Sequence, residues 1–475
     1  MIQEVDAGSL AGRPFFFCGI GGSGMLPLAQ ILRGLGYQVA GSDRSRDAGR
    51  TPGKFAWLEA NGFTLFPQDG SGVTSPDQVL VASAAIEDSV PEVARAAELG
   101  CLRVSRAELL SALFNAAGYS IAVGGTSGKS TVTGMIAWIL HEAGLDPCVM
   151  NGAVMKNFVS DANPFASARV GQPGLFVSEV DESDGSIALY QPTVAVLLNV
   201  SLDHKSIEEL RVLFGNFVRT AGTAVINLDS PEARHVASRA RQVITFGVSS
   251  DKADITVDAD SIDQSELGIR ATVIDNRSRE FFPLILPMPG LHNLSNALAA
   301  IAAASATGMP LGYATYALRS FAGLARRFDV IGTSPGGITV IDDFGHNPEK
   351  CAATLRTLKA TAGRVIAFFQ PHGYGPLRQM GEELARTFAR ELGPDDRTIL
   401  CDPVYFGGTV DRSVGSERIV ELVEAAGGHA EHRPSREECA ERIAQIARPG
   451  DRIAVMGARD DTLTEFARSL LARLP

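Results

Sequence analysis

The stretch Gly125-Thr126-Ser127-Gly128-Lys129-Ser130-Thr131 follows the apolar run Ser120–Val123 and opens a helical pattern. Glycines at a strand-to-helix turn let backbone amides wrap the β- and γ-phosphates of a nucleotide. Lys129 would neutralise those phosphates, and the Ser130 hydroxyl would hold Mg²⁺. The usual G-x-x-x-x-G-K-[ST] spacing is not met, because Val123 stands where the first glycine belongs. Gly-Lys-Ser-Thr at this junction still predicts a phosphate-binding loop in an α/β unit, and a solvated lysine without a role is the weaker alternative.

A second glycine-rich turn lies near the N-terminus. Gly19-Ile20-Gly21-Gly22-Ser23-Gly24 directly follows the apolar run Phe15–Cys18. The G-x-G-x-x-G pattern lets a diphosphate approach the backbone and rest on the next helix N-terminus. Asp43, at the end of the next predicted strand, is placed to accept a hydrogen bond from a hydroxyl group. Taken alone, the pattern fits a nicotinamide enzyme, another diphosphate ligand or a tight turn.

The remaining apolar runs alternate with helical patterns, which is typical of parallel strands joined by helical crossovers. The alternation predicts an α/β fold of three domains. These are a Rossmann-like domain at 1–116, a central P-loop ATPase-like domain at 117–324 and a Rossmann-like domain at 325–475. Within the central domain, 253–286 alternates polar and β-branched residues and predicts a small antiparallel insert. The predicted strands are Phe15–Cys18, Tyr37–Ala40, Val79–Ser83, Ser120–Val123, Leu175–Val180, Val194–Asn199, Ala224–Asn227, Gln242–Phe246, Thr339–Asp342, Val365–Phe369, Thr398–Cys401 and Arg452–Met456.

Carboxylates cluster after one strand of the central domain. Glu179-Val180-Asp181-Glu182-Ser183-Asp184 lies at the carboxyl end of an apolar strand, beside the predicted phosphate loop. Oxygen ligands next to bound phosphate suit Mg²⁺. The next strand ends with Asn199 and Asp203-His204, where His204 is predicted to ligate a metal or orient water. The alternatives are an acidic loop that caps a helix, and a structural histidine.

Two further motifs carry amide and carboxylate groups. Asn293 and Asn296 lie three positions apart in a helical pattern, so they share one face, and asparagine suits the donor and acceptor edge of adenine. Asp342 and Asp343 end the first predicted strand of the third domain, where ribose or hydroxyl recognition is typical. The alternatives are an ordinary helix cap for Asn293 and loop capping for Asp343.

Composition sets the class of protein. The chain has 475 residues, a net charge of −11, 45% hydrophobic residues and no long basic run, which argues against a polyanionic partner. Six cysteines without a C-x-x-C pair predict reduced, mostly buried thiols. The N-terminus lacks a signal-peptide pattern, and the most apolar stretch, Leu294–Ala306, is too short to span a bilayer. A cytoplasmic soluble enzyme is therefore expected.

Taken in order, the motifs resemble those of the Mur ligases over nearly the whole chain, and most closely the branch that adds L-alanine to UDP-N-acetylmuramate. No lysine occurs between Lys205 and Lys252, which favours that branch over members that use a carbamylated lysine. The residues that carry the resemblance are Gly19–Gly24 with Gly41-Ser42-Asp43, Ser83-Ala84, Arg106-Ala107-Glu108, Gly125–Thr131, Lys156-Asn157, Glu179–Asp184, Asp203-His204, His292-Asn293 with Asn296, Arg326-Arg327-Phe328-Asp329, Asp342–Pro348 and Phe369-Gln370-Pro371-His372.

The resemblance implies a role for each group of residues. The implied catalytic residues are Lys129, His204 and Arg327. ATP would be bound by Gly125, Thr126, Ser127, Gly128, Lys129, Ser130, Thr131, Asn293, Asn296, Arg327 and Asp342. Mg²⁺ would be held by Ser130, Glu179 and His204. The UDP-sugar and the acceptor would be bound by Gly21, Gly22, Ser23, Gly24, Asp43, Ser83, Arg106, His346, His372 and Arg378.

The implied reaction belongs to peptidoglycan biosynthesis and has two steps. The muramate carboxylate attacks the γ-phosphate of ATP to give an acyl phosphate, and an amino acid, with L-alanine expected, displaces phosphate to form an amide. Lys129, Mg²⁺ and Arg327 would stabilise the developing negative charge. Closure of the domains would keep water from the acyl phosphate.

Several positions depart from the alanine-ligase pattern. Ser127 and Ser130 replace His and Thr in the phosphate loop, and Phe344 replaces Tyr. Gly373 and Pro376 stand where the pattern has arginines for the incoming amino acid, although Tyr374 and Arg378 are kept.

Three alternatives to an L-alanine ligase stay open. They are a recycling-type ligase that attaches a whole peptide, a nucleotide-binding relative without turnover, and a nicotinamide oxidoreductase built on the first glycine-rich turn. The last leaves the second turn unexplained. The sequence does not reveal the oligomeric state.

Overall fold

The computed structural model of the chain describes residues 7–83, 86–201, 205–404, 411–457, 460 and 462–475. The predicted fold class is confirmed, because the described strands form three sheets with helices between the strands. The chain divides into two compact units. The first contains the residues up to Ser261 together with Ala271–Ile285 and Ser295–Ala322, and the second contains Ile262–Arg270, Leu286–Leu294 and Gly323–Pro475.

The first sheet has the order β3-β2-β1-β4-β5, and all its pairs are parallel. Its central strand, Phe15–Cys18, is buried throughout, as expected for a parallel strand covered on both faces. The elements of this part are β1 (Phe15–Cys18), α1 (Met25–Gly34), β2 (Val39–Ser42), α2 (Arg44–Asp47), α3 (Pro52–Ala60), β3 (Thr64–Phe66), β4 (Val79–Ala82), α4 (Pro91–Leu99), β5 (Leu102–Ser105) and α5 (Arg106–Asn115).

The second sheet contains the predicted phosphate loop. Its strands run in the order β13-β12-β11-β10-β6-β9-β7-β8, and all these pairs are parallel except β7 with β8. The elements are β6 (Tyr119–Gly124), α6 (Lys129–Glu142), β7 (Pro147–Met150), β8 (Ala168–Arg169), β9 (Gln172–Glu179), β10 (Val194–Leu197), α7 (Ile207–Thr220), β11 (Thr223–Asn227), α8 (Pro231–Val236), β12 (Val243–Phe246), β13 (Ile255–Val257), β14 (Asp263–Ser265), β15 (Gly268–Asp275), β16 (Glu280–Leu286), α9 (Leu291–Ala306) and α10 (Leu311–Ala317).

The antiparallel insert predicted for 253–286 is confirmed. Strand β15 pairs antiparallel with β13 through Val273–Asp275 and with β14 through Gly268–Arg270, and it also pairs with β16. Burial alternates along β15 because one face of the strand is packed and the other is open to solvent. This arrangement accounts for the alternation of polar and β-branched residues in the sequence.

The third sheet has the order β17-β18-β22-β19-β20-β21. Only the pair of β17 with β18 is antiparallel among the described pairs of this sheet. The elements are β17 (Asp329–Thr333), β18 (Thr339–Asp343), α11 (Pro348–Lys359), β19 (Val365–Gln370), α12 (Tyr374–Glu391), β20 (Arg397–Leu400), α13 (Ser416–Ala425), β21 (Ala430–His432), α14 (Arg436–Ile446), β22 (Arg452–Gly457) and α15 (Thr462–Arg473).

Other predictions about the chain have clear outcomes. All six cysteines are free thiols, and Cys101 alone is not fully buried, so the prediction of reduced thiols is confirmed. Within the described ranges, no helix has the length and apolar character needed to cross a bilayer. The predicted strand Tyr37–Ala40 begins two residues later, at Val39.

Candidate active site

The predicted phosphate loop lies between β6 and α6, in the centre of the second sheet. Gly125 has φ +138° and Gly128 has φ +90°, a region that favours glycine. A Cβ at Gly128 would lie 2.6 Å from Oδ1 of Asn296, and one at Gly125 would lie 3.1 Å from the backbone nitrogen of Asn199. The loop therefore needs glycine at both positions, and helix α6 begins directly after it, at Lys129.

Residues beyond the neighbouring strand β10 fix the shape of this loop. The backbone N–H of Ser127 donates to Oδ1 of Asn199 at 2.8 Å, and Nδ2 of Asn199 donates to the carbonyl of Ser127 at 3.0 Å. The N–H of Ser201 donates to the hydroxyl of Thr126 at 3.0 Å. Asn199 therefore acts as a scaffold for the loop, a role that its position at a strand end did not reveal.

Lys129 is engaged by two oxygen atoms. Its Nζ donates to the carbonyl of Gly125 at 2.6 Å and forms an ion pair of 2.8 Å with Oε2 of Glu182. The two side chains are 19% and 9% exposed, so the pair is largely shielded from solvent. The lysine is thus held over the loop at the N-terminus of α6, where helix geometry already favours bound anions.

Ser130 and Glu179, two of the predicted metal ligands, lie in contact. The Ser130 hydroxyl donates to Oε2 of Glu179 at 2.6 Å. A Cβ at Gly152 would lie 2.0 Å from Oε1 of Glu179, so glycine there leaves room for the carboxylate. Nδ2 of Asn151 donates to the carbonyl of Ser130 at 3.0 Å. A hydroxyl and a carboxylate side by side are the oxygen donors that Mg²⁺ prefers, so the set fits the ion.

The third predicted metal ligand, His204, and its neighbour Asp203 lie outside the described residues. The sequence did not predict Asn151 and Gly152, although both follow β7 directly. That strand was itself missed, because Pro147-Cys148-Val149-Met150 is short and begins with proline.

Asp181 lies in the electric field of two cations. Burial pushes the pKa of Asp181 upward, but hydrogen bonds from Ser183 and the charges of Lys129 and Arg106 hold that pKa below its usual value. Lys129 belongs to the phosphate loop and Arg106 begins helix α5 beside the first sheet. The two predicted anion-binding regions of the first compact unit are therefore near enough to act on one carboxylate.

The N-terminal glycine turn is closed by Asp43. Oδ2 of Asp43 accepts from the N–H of Gly21 at 2.8 Å, and Oδ1 accepts from the N–H of Ser45 at 2.8 Å. Asp43 is 8% exposed and caps the short helix α2. Both of its oxygens thus bind backbone amides, whereas the sequence suggested a hydroxyl partner.

Arg106 lies against the end of the same turn. A Cβ at Gly24 would lie 2.9 Å from Cδ of Arg106, so glycine lets the arginine pack there. Arg106 also lowers the pKa of Tyr190, although burial raises that pKa more strongly. Ser23 is exposed, Gly22 is half-buried, and Ser83 lies one residue beyond β4.

The two asparagines of α9 make different contacts. Asn296 is 9% exposed, and its Oδ1 lies against Gly128 of the phosphate loop. Asn293 is 2% exposed, and its Nδ2 donates to the carbonyl of Pro289 at 2.7 Å, just before the helix begins. This contact is not a helix N-cap, in which a side-chain oxygen would accept a backbone N–H.

In the second compact unit, Asp342 is wholly buried. It accepts hydrogen bonds from Nε of Arg326 at 3.3 Å and from the Thr464 hydroxyl at 2.6 Å. Burial raises the pKa of Asp342 above its usual value, while the charge of Arg326 opposes that rise. Both oxygens are thus used inside the protein, and the buried partner is Arg326 rather than Arg327.

Arg327 is presented by a strained segment of backbone. Its neighbours Arg326 and Phe328 have φ +59° and +49°, a region that non-glycine residues rarely adopt. The N–H of Phe328 donates to Oδ2 of Asp343 at 2.7 Å, and the N–H of Phe344 donates to the carbonyl of Arg326 at 2.9 Å. The Arg327 guanidinium lies 4.5 Å from the ring centroid of Phe344. Such strain often accompanies functional positions.

The remaining predicted residues of this unit lie beyond β18 and β19. Nδ1 of His346 is 2.9 Å from the carbonyl oxygen of Phe344, and its ring packs edge-on against the Phe344 ring. His372 follows β19, and Arg378, in α12, forms an ion pair of 3.1 Å with Asp411.

Comparisons with known proteins agree along nearly the whole length of the chain. Three family models match in succession: "Mur ligase family, catalytic domain" at residues 14–117, "Mur ligase middle domain" at 123–304 and "Mur ligase, glutamate ligase domain" at 326–459. A UDP-N-acetylmuramate–L-alanine ligase of Agrobacterium fabrum is 36% identical over 474 residues, which is 96% of each chain. A ligase of the same name from Brucella anthropi is 36% identical and covers 95% of each chain.

Solved structures give the same answer. The UDP-N-acetylmuramate–alanine ligase of Thermotoga maritima has a TM-score of 0.77 at 25% identity and covers 97% of this chain and 99% of its own. A murein peptide ligase from Psychrobacter arcticus has a TM-score of 0.69 at 26% identity and covers 97% and 98%. Because three Mur ligase models match in succession and full-length relatives are 36% identical, the chain belongs to the Mur ligase family.

Proposed function

We propose that this protein uses ATP to join L-alanine to the carboxylate of UDP-N-acetylmuramate, through an acyl phosphate, in peptidoglycan synthesis. Family membership and full-length relatives of that name support the reaction. The single observation that carries it is the grouping of Lys129, Ser130, Glu179 and Glu182 around a glycine loop at the N-terminus of a helix. That grouping supplies a cation, backbone amides and oxygen donors at one place.

Phosphoryl transfer needs positioning and charge stabilisation more than covalent chemistry from the protein. The amides of Gly128 and of the first turn of α6 would bind the β- and γ-phosphates, since the N–H groups of Thr126 and Ser127 already donate to Asn199. Lys129 would neutralise charge that develops on the phosphates. Ser130 and Glu179 would hold Mg²⁺, which supplies Lewis-acid stabilisation of the phosphate oxygens. The roles implied for His204, Arg327 and Asp342 stay predictions.

The sugar nucleotide is proposed to bind at the N-terminal glycine turn. Asp43 fixes the amide of Gly21, so the turn is already shaped before any ligand arrives. None of the hydrogen bonds or ion pairs described for the chain uses the Arg106 guanidinium, which packs against Gly24 and acts on Asp181. Within the described part of the chain this guanidinium is without a hydrogen-bond partner, and such a cation beside a glycine turn suits a diphosphate group.

A peptide acceptor is the second candidate, and Gly373 favours it. Gly373 has φ +99° and precedes α12, so a side chain there would be strained whatever the space. A Cβ at this position would meet only the carbonyl of Val404, at 3.7 Å. The open position contributes no cation for a free amino-acid carboxylate, and one structural relative is a murein peptide ligase.

Phosphate release from ATP tests both proposals. The purified protein is assayed with UDP-N-acetylmuramate and Mg²⁺, with L-alanine, other amino acids or the peptide L-Ala-γ-D-Glu-meso-diaminopimelate, and products are identified by mass spectrometry. We expect UDP-N-acetylmuramoyl-L-alanine as the main product. Turnover with the peptide alone would favour the second candidate. No phosphate release with any acceptor would contradict ligase activity, and an NAD-dependent absorbance change would point to an oxidoreductase.

A further inference from the structure

The carboxylate of Glu182 has one described partner, and that partner is Lys129. Its neighbours in the acidic segment serve the local backbone: Oδ1 of Asp181 accepts from the N–H of Ser183, and Oδ1 of Asp184 accepts from the N–H of Ser186, both at 2.9 Å. Among the described residues, the Glu182 side chain makes no such turn contact. Its carboxylate therefore does not build the loop that carries it.

The ion pair is placed where an anionic ligand would be expected. Oε2 of Glu182 lies 2.8 Å from Nζ of Lys129, while the other contact of Nζ is the carbonyl of Gly125 in the same loop. A glycine loop followed by the first turn of a helix attracts negative charge. Glu182 thus supplies, from within the protein, a negative charge at the ammonium that the proposed triphosphate would contact.

We infer that Glu182 is an internal anion that competes with nucleotide phosphate for Lys129. The inference rests on the proposed function, because it takes the phosphate loop as the ATP site. Nucleotide binding must then break a pair whose side chains are only 19% and 9% exposed, and the loss of that pair opposes part of the binding free energy. After phosphate and product leave, the carboxylate recaptures the ammonium and so favours release of ADP.

The ion pair between Glu182 and Lys129 would stabilise the empty loop and so help ADP to leave in each reaction cycle. A lysine paired with a carboxylate is neutralised and held in one position, so the empty loop does not carry an unpaired cation in a poorly solvated place. Glu179 has the corresponding relation to Ser130, since its Oε2 accepts the Ser130 hydroxyl hydrogen bond at 2.6 Å. The acidic segment therefore occupies both groups that would receive the nucleotide and its metal.

Calorimetric titration without Mg²⁺ tests the inference. ADP and a non-hydrolysable ATP analogue are titrated in EDTA into the full-length wild type, Glu182→Gln, Lys129→Ala and the double variant. Glutamine keeps the size of the side chain and removes its charge. We expect Glu182→Gln to tighten binding of the ATP analogue about tenfold, the effect of about 1.4 kcal/mol, and to slow ADP dissociation.

Measurements in the Lys129→Ala background distinguish competition for Lys129 from general repulsion of phosphate. If Glu182 acts by competing for Lys129, the gain from Glu182→Gln disappears when the lysine is absent. An equal gain in both backgrounds would mean general repulsion of phosphate and would overturn the inference, as would unchanged or weaker binding by Glu182→Gln in the wild-type background. Asp184→Asn is the matched control in the same segment, since Asp184 is exposed and binds its own turn.

Failure of the proposed function gives a different pattern. A wild type that binds no nucleotide, or a Lys129→Ala variant that binds as tightly as the wild type, would remove the ATP-site assignment itself. If nucleotide binding depends on Lys129 but Glu182→Gln does not increase nucleotide affinity, the ATP site stands and only the inferred competition by Glu182 is rejected.

Discussion

The Ser130 hydroxyl donates a 2.6 Å hydrogen bond to Oε2 of Glu179, and this contact joins the start of α6 to the end of β9. Strand β6 precedes Ser130 and strand β9 ends at Glu179. These strands are parallel neighbours, so their carboxyl ends lie at one edge of the sheet. Gly152, which follows the next strand in the sheet, β7, leaves room for the Glu179 carboxylate. Three separate segments thus combine to place one hydroxyl beside one carboxylate.

From this contact we predict that Glu179→Gln raises the Mg²⁺ concentration needed for half-maximal activity by about tenfold or more, because loss of a metal-binding group weakens affinity on this scale. Nucleotide binding measured without Mg²⁺ should change little. The check is a magnesium titration of phosphate release. The control is Asp184→Asn, and an unchanged magnesium requirement for Glu179→Gln would remove this residue from the metal site.

Lys129→Ala should lower turnover by about 10²–10³-fold or more, the usual loss when one group that stabilises transition-state charge is removed. Binding of UDP-N-acetylmuramate should stay near the wild-type value, because the N-terminal glycine turn has its own fixed geometry through Asp43 and Gly21. Steady-state kinetics and calorimetry with the sugar nucleotide measure the two effects. Lys252→Ala, at an exposed position, is the control. Near-normal rates for Lys129→Ala would show that ATP binds elsewhere.

The glycine turn between β6 and α6 could be predicted from the sequence because its residues are contiguous: glycines, lysine and serine follow one another after an apolar strand. Its binding of phosphate stays a prediction. The same holds for the acidic strand end with Glu179. Asn199 could be noticed as a polar residue at a strand end. Its two hydrogen bonds with Ser127 could not be predicted, because they require β10 to lie beside β6, and no local sequence pattern indicates which strands are neighbours.

Other features could not be read because the partners are distant in sequence. Asp43 binds the amide of Gly21 because the two strand ends meet, and the motif gave no sign of this contact. The hydroxyl partner that the motif suggested for Asp43 stays a prediction. Strand β5 was missed because it lies at an edge of its sheet and carries the exposed Arg103, so its apolar signal is weak. The left-handed backbone at Arg326 and Phe328, on both sides of Arg327, could not be predicted from the sequence either, because neither position is a glycine.

Phe114→Ala should destabilise the fold by about 3–5 kcal/mol, the usual cost of such a deletion in a packed core. Phe114 is fully buried in α5, and its ring packs edge-on against Phe176 of β9 and against Tyr190, at centroid distances of 5.7 and 5.1 Å. Urea unfolding measures the change. Phe281→Ala is the control, because Phe281 is 64% exposed and its loss should cost about 0.5 kcal/mol or less. Equal effects of the two substitutions would contradict the packing described.

The thiols should differ in reactivity. Burial raises the pKa of Cys18 to about 11, so little thiolate forms there at neutral pH. Cys101 is the least buried of the six cysteines, and the pKa of its thiol is also raised by burial. We predict that iodoacetamide at pH 8 labels Cys101 first and labels Cys18 only after unfolding, as measured by peptide mass spectrometry. Rapid native labelling of Cys18 would be inconsistent with its buried position. Labelling of Cys101 should become faster as the pH rises, because a thiol with a raised pKa forms its nucleophilic thiolate only at higher pH.

Gly128→Ala should weaken ATP binding by two separable effects. The first is backbone strain, because Gly128 has φ +90° and a left-handed residue other than glycine costs about 1–2 kcal/mol. The second is steric, because the new Cβ would lie 2.6 Å from Oδ1 of Asn296 and would force that side chain or the loop to move.

Gly144→Ala is the control for backbone strain at a position outside the glycine loop. Gly144 has φ +76°, but a Cβ there would meet no atom within 4 Å. It follows α6 at the end opposite the phosphate loop, so strain at this position should lower the unfolding temperature without changing ATP affinity. For Gly128→Ala we expect a loss of ATP affinity of about tenfold, which corresponds to about 1.4 kcal/mol. Calorimetry with nucleotide and thermal unfolding of both variants provide the comparison. Equal losses of ATP affinity in the two variants would mean that a general change in stability, and not the shape of the phosphate loop, controls nucleotide binding.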